Sequence, residues 1–204
     1  MKKVLIINAG QNFGHSGGRY NKTVTESTAE ALKAFNNVEV RITHIEEGYD
    51  KEEEVQKFVW ADYIIYHTPI WWFQVPFGFK KYLDEVFTAG HNKGLYKSDG
   101  RSSKNPAINY GTGGTLNGRK YMVTTTWNAP ATAFTLPGEF FNETSVDNGP
   151  LFGFHRMNAF LSLERLEGFH FHDVEKNADV ERDMKLYKEH ITGIFEKELK
   201  PQLA

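Results

Sequence analysis

The feature that most constrains this chain is a regular alternation of apolar, strand-like runs with segments of helical periodicity. The first run, KVLIIN at Lys3–Asn8, is continuously apolar, which is typical of a strand buried on both faces of a sheet. Further strands are predicted at 38–45, 62–67, 120–126 and within 165–174, and helices at 23–35, 52–61, 77–87, 151–163 and 179–199. This alternation predicts an α/β fold with a parallel sheet and helices on both faces.

Five strands in this rhythm predict the flavodoxin-like strand order 2-1-3-4-5, in one domain that spans residues 1–204. The ligand crevice of such a sheet lies at the carboxyl ends of strands 1, 3 and 4. Thr23 followed by Glu26 predicts that a capping box begins the first helix. The polar stretch 88–119 is predicted to be loop, and its GTGGT segment, which lacks the lysine of a phosphate loop, is predicted to be a flexible turn.

Composition excludes several classes of function. The net charge is -2 and no run of Lys or Arg is present, so we expect no nucleic-acid partner. The absence of cysteine excludes disulfides, thiolate metal sites and cysteine nucleophiles. No segment approaches a membrane span and the apolar run after MKK is too short for a signal peptide, which predicts a cytoplasmic protein. No second cluster accompanies His170 and His172, so we expect no metal.

Three loops are predicted to meet at the crevice, and the first precedes a helix. It reads GHSGGRYNKT and combines polar side chains with two glycines that let a ligand approach the backbone: Ser16, Gly17, Gly18, Asn21 and Thr23. Backbone N–H groups at the start of a helix favour phosphate. The loop therefore predicts a phosphate site, although a plain capped turn accounts for its composition equally well.

The second loop holds three consecutive aromatic residues between two prolines. Trp71, Trp72 and Phe73 lie between Pro69 and Pro76, which stiffen the backbone. A row of rings at a crevice suits a flat ligand. The alternative is that one tryptophan packs in the core and the other at a subunit contact, but the position of the loop favours the ligand.

The third loop, TTTWNAP, offers polar groups to the edge of the same flat ligand. Thr126, Trp127 and Asn128 carry a hydroxyl, an indole and an amide. Donors at the edge of a flavin stabilise the negative charge of its reduced form. Capping of a strand end explains this loop equally well on its own, but the three loops together favour a flavin.

These loops resemble those of the flavodoxin-like NAD(P)H:quinone reductases, and within that group the modulator of drug activity B family. The resemblance covers nearly the whole chain and is carried by VLIINAG with HSGGRYN, TPIWWFQVPFGFKKYLDEVFTAGH, LYKSDGR, YGTGG and KYMVTTTWNAP. It implies a homodimeric flavoprotein that binds FAD and passes two electrons from NADPH to quinones by a ping-pong mechanism. Two-electron transfer avoids a semiquinone that passes electrons to oxygen, which implies a role against oxidative stress.

The resemblance also implies roles for individual positions. The residues that would hold the FAD diphosphate and adenosine are Ser16, Gly17, Gly18, Arg19, Tyr20, Asn21, Lys22 and Thr23. Those that would cradle the isoalloxazine and line its polar edge are Pro69, Ile70, Trp71, Trp72, Thr126, Trp127, Asn128 and Ala129, with Tyr110 completing the pocket. The family often has Asn or Gln at positions 17 and 19, where this chain has Gly17 and Arg19. No acid–base triad is required, because hydride transfer needs only orientation of donor and acceptor, and we single out no catalytic residue. Tyr110 and His155 are candidates for protonating the quinone, and a purely structural role is the alternative for both.

Two other functions fit the same fold. An FMN-dependent azo- or nitroreductase is the alternative enzyme, against which the long first loop favours a dinucleotide. A flavodoxin-type electron carrier is the non-enzymatic alternative. Such carriers are usually strongly acidic, whereas the net charge of this chain is only -2.

Overall fold

A computed structural model describes residues 1–199, so the end of the predicted domain, 200–204, lies outside the described residues. Its main sheet is parallel and contains β1 (Lys2–Asn8), β4 (Val38–His44), β5 (Tyr63–Pro69) and β6 (Lys120–Thr126) in the order β4-β1-β5-β6. These are the first four predicted strands in their predicted order.

The fifth position of the sheet differs from the prediction, because two short strands share it. Both β7 (Glu164–Arg165) and β8 (Phe169–Phe171) pair in parallel with β6, so the sheet has six strands. Gly168 interrupts the pairing: a Cβ there would lie 2.6 Å from the Val123 carbonyl oxygen, so only a glycine backbone fits so close to β6.

The helices are α1 (Arg19–Lys33), α2 (Lys51–Trp60), α3 (Phe77–Ala89), the short α4 (Thr132–Thr135), α5 (Phe152–Phe160) and α6 (Val180–Leu199), with a 3₁₀ turn at Ile45–Glu47. The α5 helix is shorter than predicted, and α4 was not predicted. Within residues 1–199, no helix combines the length and the apolar composition that crossing a bilayer requires.

The apolar core lies on both faces of the sheet. On one face, Leu5 and Ile7 of β1 belong to a cluster with α2, α3 and α5. On the other face, Val4 and Ile6 belong to a cluster with α1 and α6. Successive side chains of a strand point to opposite faces, so a strand covered on both sides is apolar throughout, as the first run predicted.

The capping box predicted at Thr23 and Glu26 is wrong, because α1 begins four residues earlier, at Arg19. Thr23 lies inside the helix, where its hydroxyl donates to the Arg19 carbonyl oxygen at 3.1 Å. The N-cap is Gly18, which has a φ of 67° and provides no side-chain cap. The backbone N–H groups of the first turn therefore have no side-chain acceptor at the N-cap.

The GTGGT segment forms close backbone contacts that the prediction of a flexible turn did not anticipate. The Gly113 carbonyl accepts a hydrogen bond from the Lys97 N–H at 2.9 Å, and Leu116 N–H bonds the Leu161 carbonyl at 3.0 Å. A Cβ on Gly114 would lie 2.5 Å from the Phe160 carbonyl oxygen. Glycine is required there because the loop and the backbone at the end of α5 approach each other closely.

Gly114→Ala is expected to lower the free energy of unfolding by about 1–3 kcal/mol, because the new methyl group meets backbone atoms that cannot rotate away. Urea unfolding at neutral pH measures the loss. Gly153→Ala is the control, since a Cβ at that position in α5 meets nothing within 4 Å. Equal stability of the Gly114 variant and the wild-type chain would contradict the close packing.

Candidate functional site

The carboxyl ends of β1, β5 and β6 lie side by side, which brings the three predicted loops to one edge of the sheet. Asn8 of β1 pairs with His67 of β5, and Pro69 of β5 pairs with Thr126 of β6. The first loop is itself ordered as a small hairpin of β2 (Asn12–Phe13) and β3 (Ser16–Gly17). This edge is where a parallel sheet of this kind places its ligand crevice.

The residues predicted to bind phosphate lie at the end of this hairpin and in the first turn of α1. Ser16 and Gly17 belong to β3, Gly18 is the N-cap, and Arg19 to Thr23 form the start of the helix. Arg19 and Lys22 are exposed. Two basic side chains beside an uncapped helix start favour an anionic ligand.

Asn21 and Tyr20 have environments that the sequence did not reveal. Asn21 is buried and its amide nitrogen donates to the Thr126 hydroxyl at 3.2 Å, which ties α1 to the third loop. The Tyr20 hydroxyl is buried without a hydrogen-bond partner in residues 1–199. Burial, with a smaller contribution from Asp183, raises the pKa of Tyr20 to about 12, so the group stays protonated at neutral pH.

A small cavity of about 160 Å³ lies between the first loop and the end of β4. Its lining includes two cationic side chains, Arg19 and Lys22, and two anionic ones, Glu46 and Glu47. The mixed charge favours a ligand that carries both an anionic group and hydrogen-bond donors, such as a nucleotide with its ribose.

The second loop folds into a tight turn with unusual backbone angles. The N–H groups of Trp71 and Gln74 donate to each other's carbonyls at 2.9 and 3.1 Å. Trp72 and Phe73, the central residues, have φ values of 48° and 65°, as in a type I′ turn. Glycine and asparagine normally occupy such positions, and a bulky residue there costs about 1–3 kcal/mol. Strain of this size is typical of functional sites.

An aromatic contact joins the second loop to the first. The Phe13 ring lies 5.1 Å from Trp71 and 5.5 Å from Phe77, at the start of α3. Phe13 is a site residue that the sequence reasoning missed, because nothing in the loop composition indicated that its ring faces Trp71. Trp72, in contrast, is 90% exposed and stands free beside the crevice.

In the third loop, the interpretation of Trp127 needs correction. Its indole nitrogen was expected to face the ligand edge, but the side chain is buried and Nε1 donates to the Thr125 hydroxyl at 2.7 Å. The Thr126 hydroxyl accepts from the Asn21 amide and keeps its own proton, although the side chain is buried. Asn128 remains exposed and Ala129 half-buried. Of the three polar groups predicted for this loop, the Asn128 amide is therefore the exposed one.

A cavity of about 590 Å³ separates the second and third loops. Ile70, Trp72 and Phe73 line one side, and the segment 127–130 lines the other. The cavity continues to three residues that follow β8 and that the sequence reasoning missed: Asp173, Lys176 and Asn177. The predicted fifth strand could have indicated these residues, because the segment that follows it begins at the same edge of the sheet as the three loops.

Tyr110 lies apart from this cavity. Its side chain is 72% exposed, and the Arg101 guanidinium lies over its ring, 5.5 Å from the ring centroid. Tyr110 lines a separate apolar groove of about 570 Å³ between α3 and α5. Gln74 and Val75, at the end of the second loop, line the same groove. Within one chain the structure therefore does not bring Tyr110 together with the other predicted site residues.

Beneath the site, His67 joins β5 to α1 and α6. Its Nδ1 lies 2.8 Å from the Thr25 hydroxyl, whose own proton goes to the Asn21 carbonyl at 2.8 Å, so Nδ1 carries a proton and donates it. Its Nε2 is then an acceptor, and the Tyr187 hydroxyl at 3.1 Å is the donor, because the Thr28 proton goes to the Val24 carbonyl at 2.8 Å. Burial lowers the pKa of His67 to about 3, so the ring is neutral and supports the first turn of α1 from below.

The arrangement fits a flavin nucleotide. The uncapped start of α1 suits phosphate, the aromatic turn suits a planar ring, and the buried Gln11 Oε1 has no partner in the part of the chain that the structure describes. A metal finds no comparable set of ligands, since residues 1–199 contain no cluster of three or more His, Asp or Glu placed to hold one.

Comparison with known proteins agrees with this geometry. A family model described as a flavodoxin-like fold matches residues 2–193. The chain is 45% identical over 192 residues to the NADPH:quinone oxidoreductase MdaB of Haemophilus influenzae, which covers 94% of this chain and 98% of the relative.

Solved structures share the fold at low sequence identity. One is a Klebsiella pneumoniae protein suggested to be a quinone reductase, with a TM-score of 0.72, 20% identity, and coverage of 98% of this chain and 86% of that one. Another is an FMN-dependent NADH-azoreductase of Bacillus anthracis, with a TM-score of 0.67, 15% identity, and coverage of 97% and 99%. The family model and the Haemophilus relative show that the chain belongs to the flavodoxin-like modulator of drug activity B family.

Proposed function

We propose that this protein is an FAD-dependent NADPH:quinone oxidoreductase. The observation that carries the proposal is the cavity at the sheet edge, with the strained aromatic turn Trp71–Gln74 on one side and the segment 127–130 on the other. A planar ring system and a planar substrate both suit such a slot. The Haemophilus relative, named for this activity, supports the choice of NADPH and quinone.

Several groups would hold the cofactor. Phosphate would meet the backbone N–H groups after Gly18, with Arg19 and Lys22 close by. The ring would lie along Ile70, Trp71 and Trp72. The length of the first loop, together with a cavity that extends to Asp173, Lys176 and Asn177, supports FAD over the shorter FMN, because a dinucleotide needs contacts beyond one phosphate.

When bound, the flavin supplies two-electron chemistry by accepting and then donating a hydride. The chain's own residues orient the reactants and exclude water from the slot. The buried groups nearest the site cannot exchange protons at neutral pH, since the pKa of His67 is lowered to about 3 and that of Tyr20 is raised to about 12. We therefore assign no catalytic acid or base, and NADPH and quinone use one cavity in turn, which is a ping-pong mechanism.

We also propose that the protein is a homodimer. The groove between α3 and α5 is mostly apolar, and Tyr110, which lines it, is 72% exposed; Phe152, next to two of its lining residues in sequence, is 60% exposed. A second copy that covered this groove would bury those rings and bring its own Tyr110 towards the second loop. Light scattering after size-exclusion chromatography would give twice the mass of the chain. A mass near 23.4 kDa would contradict the dimer.

The second candidate is an FMN-dependent azoreductase. The Bacillus anthracis structure that shares the fold has this activity and contains FMN. FMN and FAD carry the same ring, which would lie in the same crevice. The two proposals therefore differ in whether the cofactor has an adenosine part, and in whether the electron acceptor is a quinone or an azo compound.

One experiment tests the proposed function. The bound cofactor is released from the purified protein and identified, and the holoprotein is then mixed anaerobically with NADPH and afterwards with menadione. We expect FAD, rapid bleaching by NADPH and complete recovery of the flavin absorbance with quinone. Release of FMN with faster turnover of an azo dye would favour the second candidate. A flavin that NADPH does not bleach would contradict both enzymes and favour an electron carrier.

A further inference from the structure

Two chains of hydrogen bonds converge on Asp147, in the segment between β6 and α5. The first begins at Trp127, whose indole N–H is a donor only and bonds the Thr125 hydroxyl at 2.7 Å. The Thr125 proton is then free for His170 Nδ1, at 2.7 Å. The other ring nitrogen of His170 therefore carries the proton and lies 3.5 Å from Asp147 Oδ1. The direction of this series of hydrogen bonds follows from its two ends, because the indole N–H only donates and an ionised carboxylate only accepts.

The second chain has the same polarity. The Tyr121 hydroxyl lies 2.8 Å from His155 Nδ1, and His155 Nε2 lies 2.9 Å from Asp147 Oδ1. The hydrogen bond from His155, followed by that from His170, holds the pKa of Asp147 well below its usual range. Asp147 is therefore ionised and accepts from both rings, while Arg165 lies 3.7 Å from its other oxygen.

The first series of hydrogen bonds, which starts at Trp127, fixes the orientation of a ring on which other aromatic side chains pack. Phe134 lies 5.0 Å from its ring, edge to face, and Phe141 lies 6.1 Å away. Phe134 and Phe141 stack on each other at 3.9 Å. Phe141 then contacts Phe73 at 5.8 Å. A continuous series of contacts thus runs from Asp147 to the second loop.

The series ends at the strained turn. Trp72 and Phe73 have positive φ values, which are unfavourable for bulky residues in an unconstrained peptide. Contacts with neighbouring residues must therefore stabilise this conformation. The contacts on Phe73 come from Phe140, stacked at 5.2 Å, and from Phe141. Both belong to the segment between β6 and α5, the segment that Asp147 ties to the sheet through His155 and His170.

We propose that Asp147 is a positioning residue that holds the Trp71–Gln74 turn in its strained conformation, acting through Thr125 and Trp127. This inference rests on the proposed function in one respect: the proposed function makes that turn a wall of the cofactor slot. Asp147 itself touches neither the slot nor a reactant. Its effect is transmitted by the orientation of the Trp127 ring and by the stack built on it.

Two pairs of variants test the proposal. Thr125→Val removes the link between Trp127 and His170, and Thr125→Ser restores the hydroxyl. Asp147→Ala removes the common acceptor, whereas Tyr121→Phe cuts only the other chain. Amide exchange at the Trp71 and Gln74 N–H groups, followed by NMR on each folded variant, reports the turn directly. We expect exchange about tenfold faster in Thr125→Val and Asp147→Ala, and wild-type rates in Thr125→Ser and Tyr121→Phe.

A second measurement separates this inference from the proposed function. If the holoprotein reduces quinone, Thr125→Val and Asp147→Ala should raise the KM for quinone several-fold with little change in kcat, because the turn and not the chemistry is altered. The exchange rates need no activity, so they stand even if quinone reduction fails. Equal exchange in Thr125→Val and Thr125→Ser, or an equal increase in Tyr121→Phe, would overturn the proposal.

Discussion

His67→Gln is expected to remove about 2 kcal/mol of the pH dependence of stability between pH 7 and pH 5. The pKa of His67 is lowered from 6.5 to about 3 in the folded chain by burial. Between these values the unfolded chain binds a proton that the folded chain does not, so the free energy of unfolding falls as the pH falls. Each pH unit below 6.5 costs about 1.4 kcal/mol, and the loss ends near the folded pKa.

The measurement is urea unfolding of the wild-type protein and the His67→Gln variant, each at pH 7 and at pH 5. The variant also loses hydrogen bonds to Thr25 and Tyr187, but this loss is present at both pH values and cancels in the difference. His15→Gln is the control, because it removes an exposed histidine from the first loop by the same substitution. Equal pH dependence of the wild-type chain and His67→Gln would show that His67 is protonated in the fold.

Gly18→Ala is expected to weaken flavin binding at least tenfold, which corresponds to about 1.4 kcal/mol. Gly18 has a φ of 67°, and a left-handed conformation costs an L-residue about 1–2 kcal/mol. Its new Cβ would also lie 3.2 Å from the backbone of Gly10 and Gln11. The first loop must then move away from the start of α1, where phosphate is proposed to bind.

Gly193→Ala provides a control away from the site. A Cβ on Gly193, in α6, would meet nothing within 4 Å, and no positive φ is involved. Titration of the two apoproteins with FAD, followed by quenching of flavin fluorescence, gives both dissociation constants. We expect the Gly193 variant to bind within about twofold of the wild type, as for other substitutions without strain or clash. The same affinity in both variants would place the phosphate elsewhere.

The sequence predicted the crevice better than it predicted the role of each side chain there. A row of rings after a buried strand predicted that Trp71 and Trp72 form a ligand wall, and this stays a prediction. For Trp127 the expected orientation of the indole N–H was wrong, because Nε1 donates to Thr125, although the residue does line the cavity. The sequence alone does not show whether an indole N–H bonds a neighbouring hydroxyl or a ligand. Phe13 and Lys176 gave no local signal, because their contribution depends on which loops meet.

The sequence by itself, through the order and periodicity of its apolar residues, determined the fold class, the order of the first four strands and the edge of the sheet where the three loops meet. These follow from periodicity and from the handedness of crossovers, which depend on near neighbours. The tertiary structure alone decided that α1 begins at Arg19, that the fifth strand is split, that Trp72 and Phe73 adopt positive φ, and that two histidines share Asp147. Each of these depends on contacts between residues far apart in sequence, which compete with local preference and, in this fold, prevail.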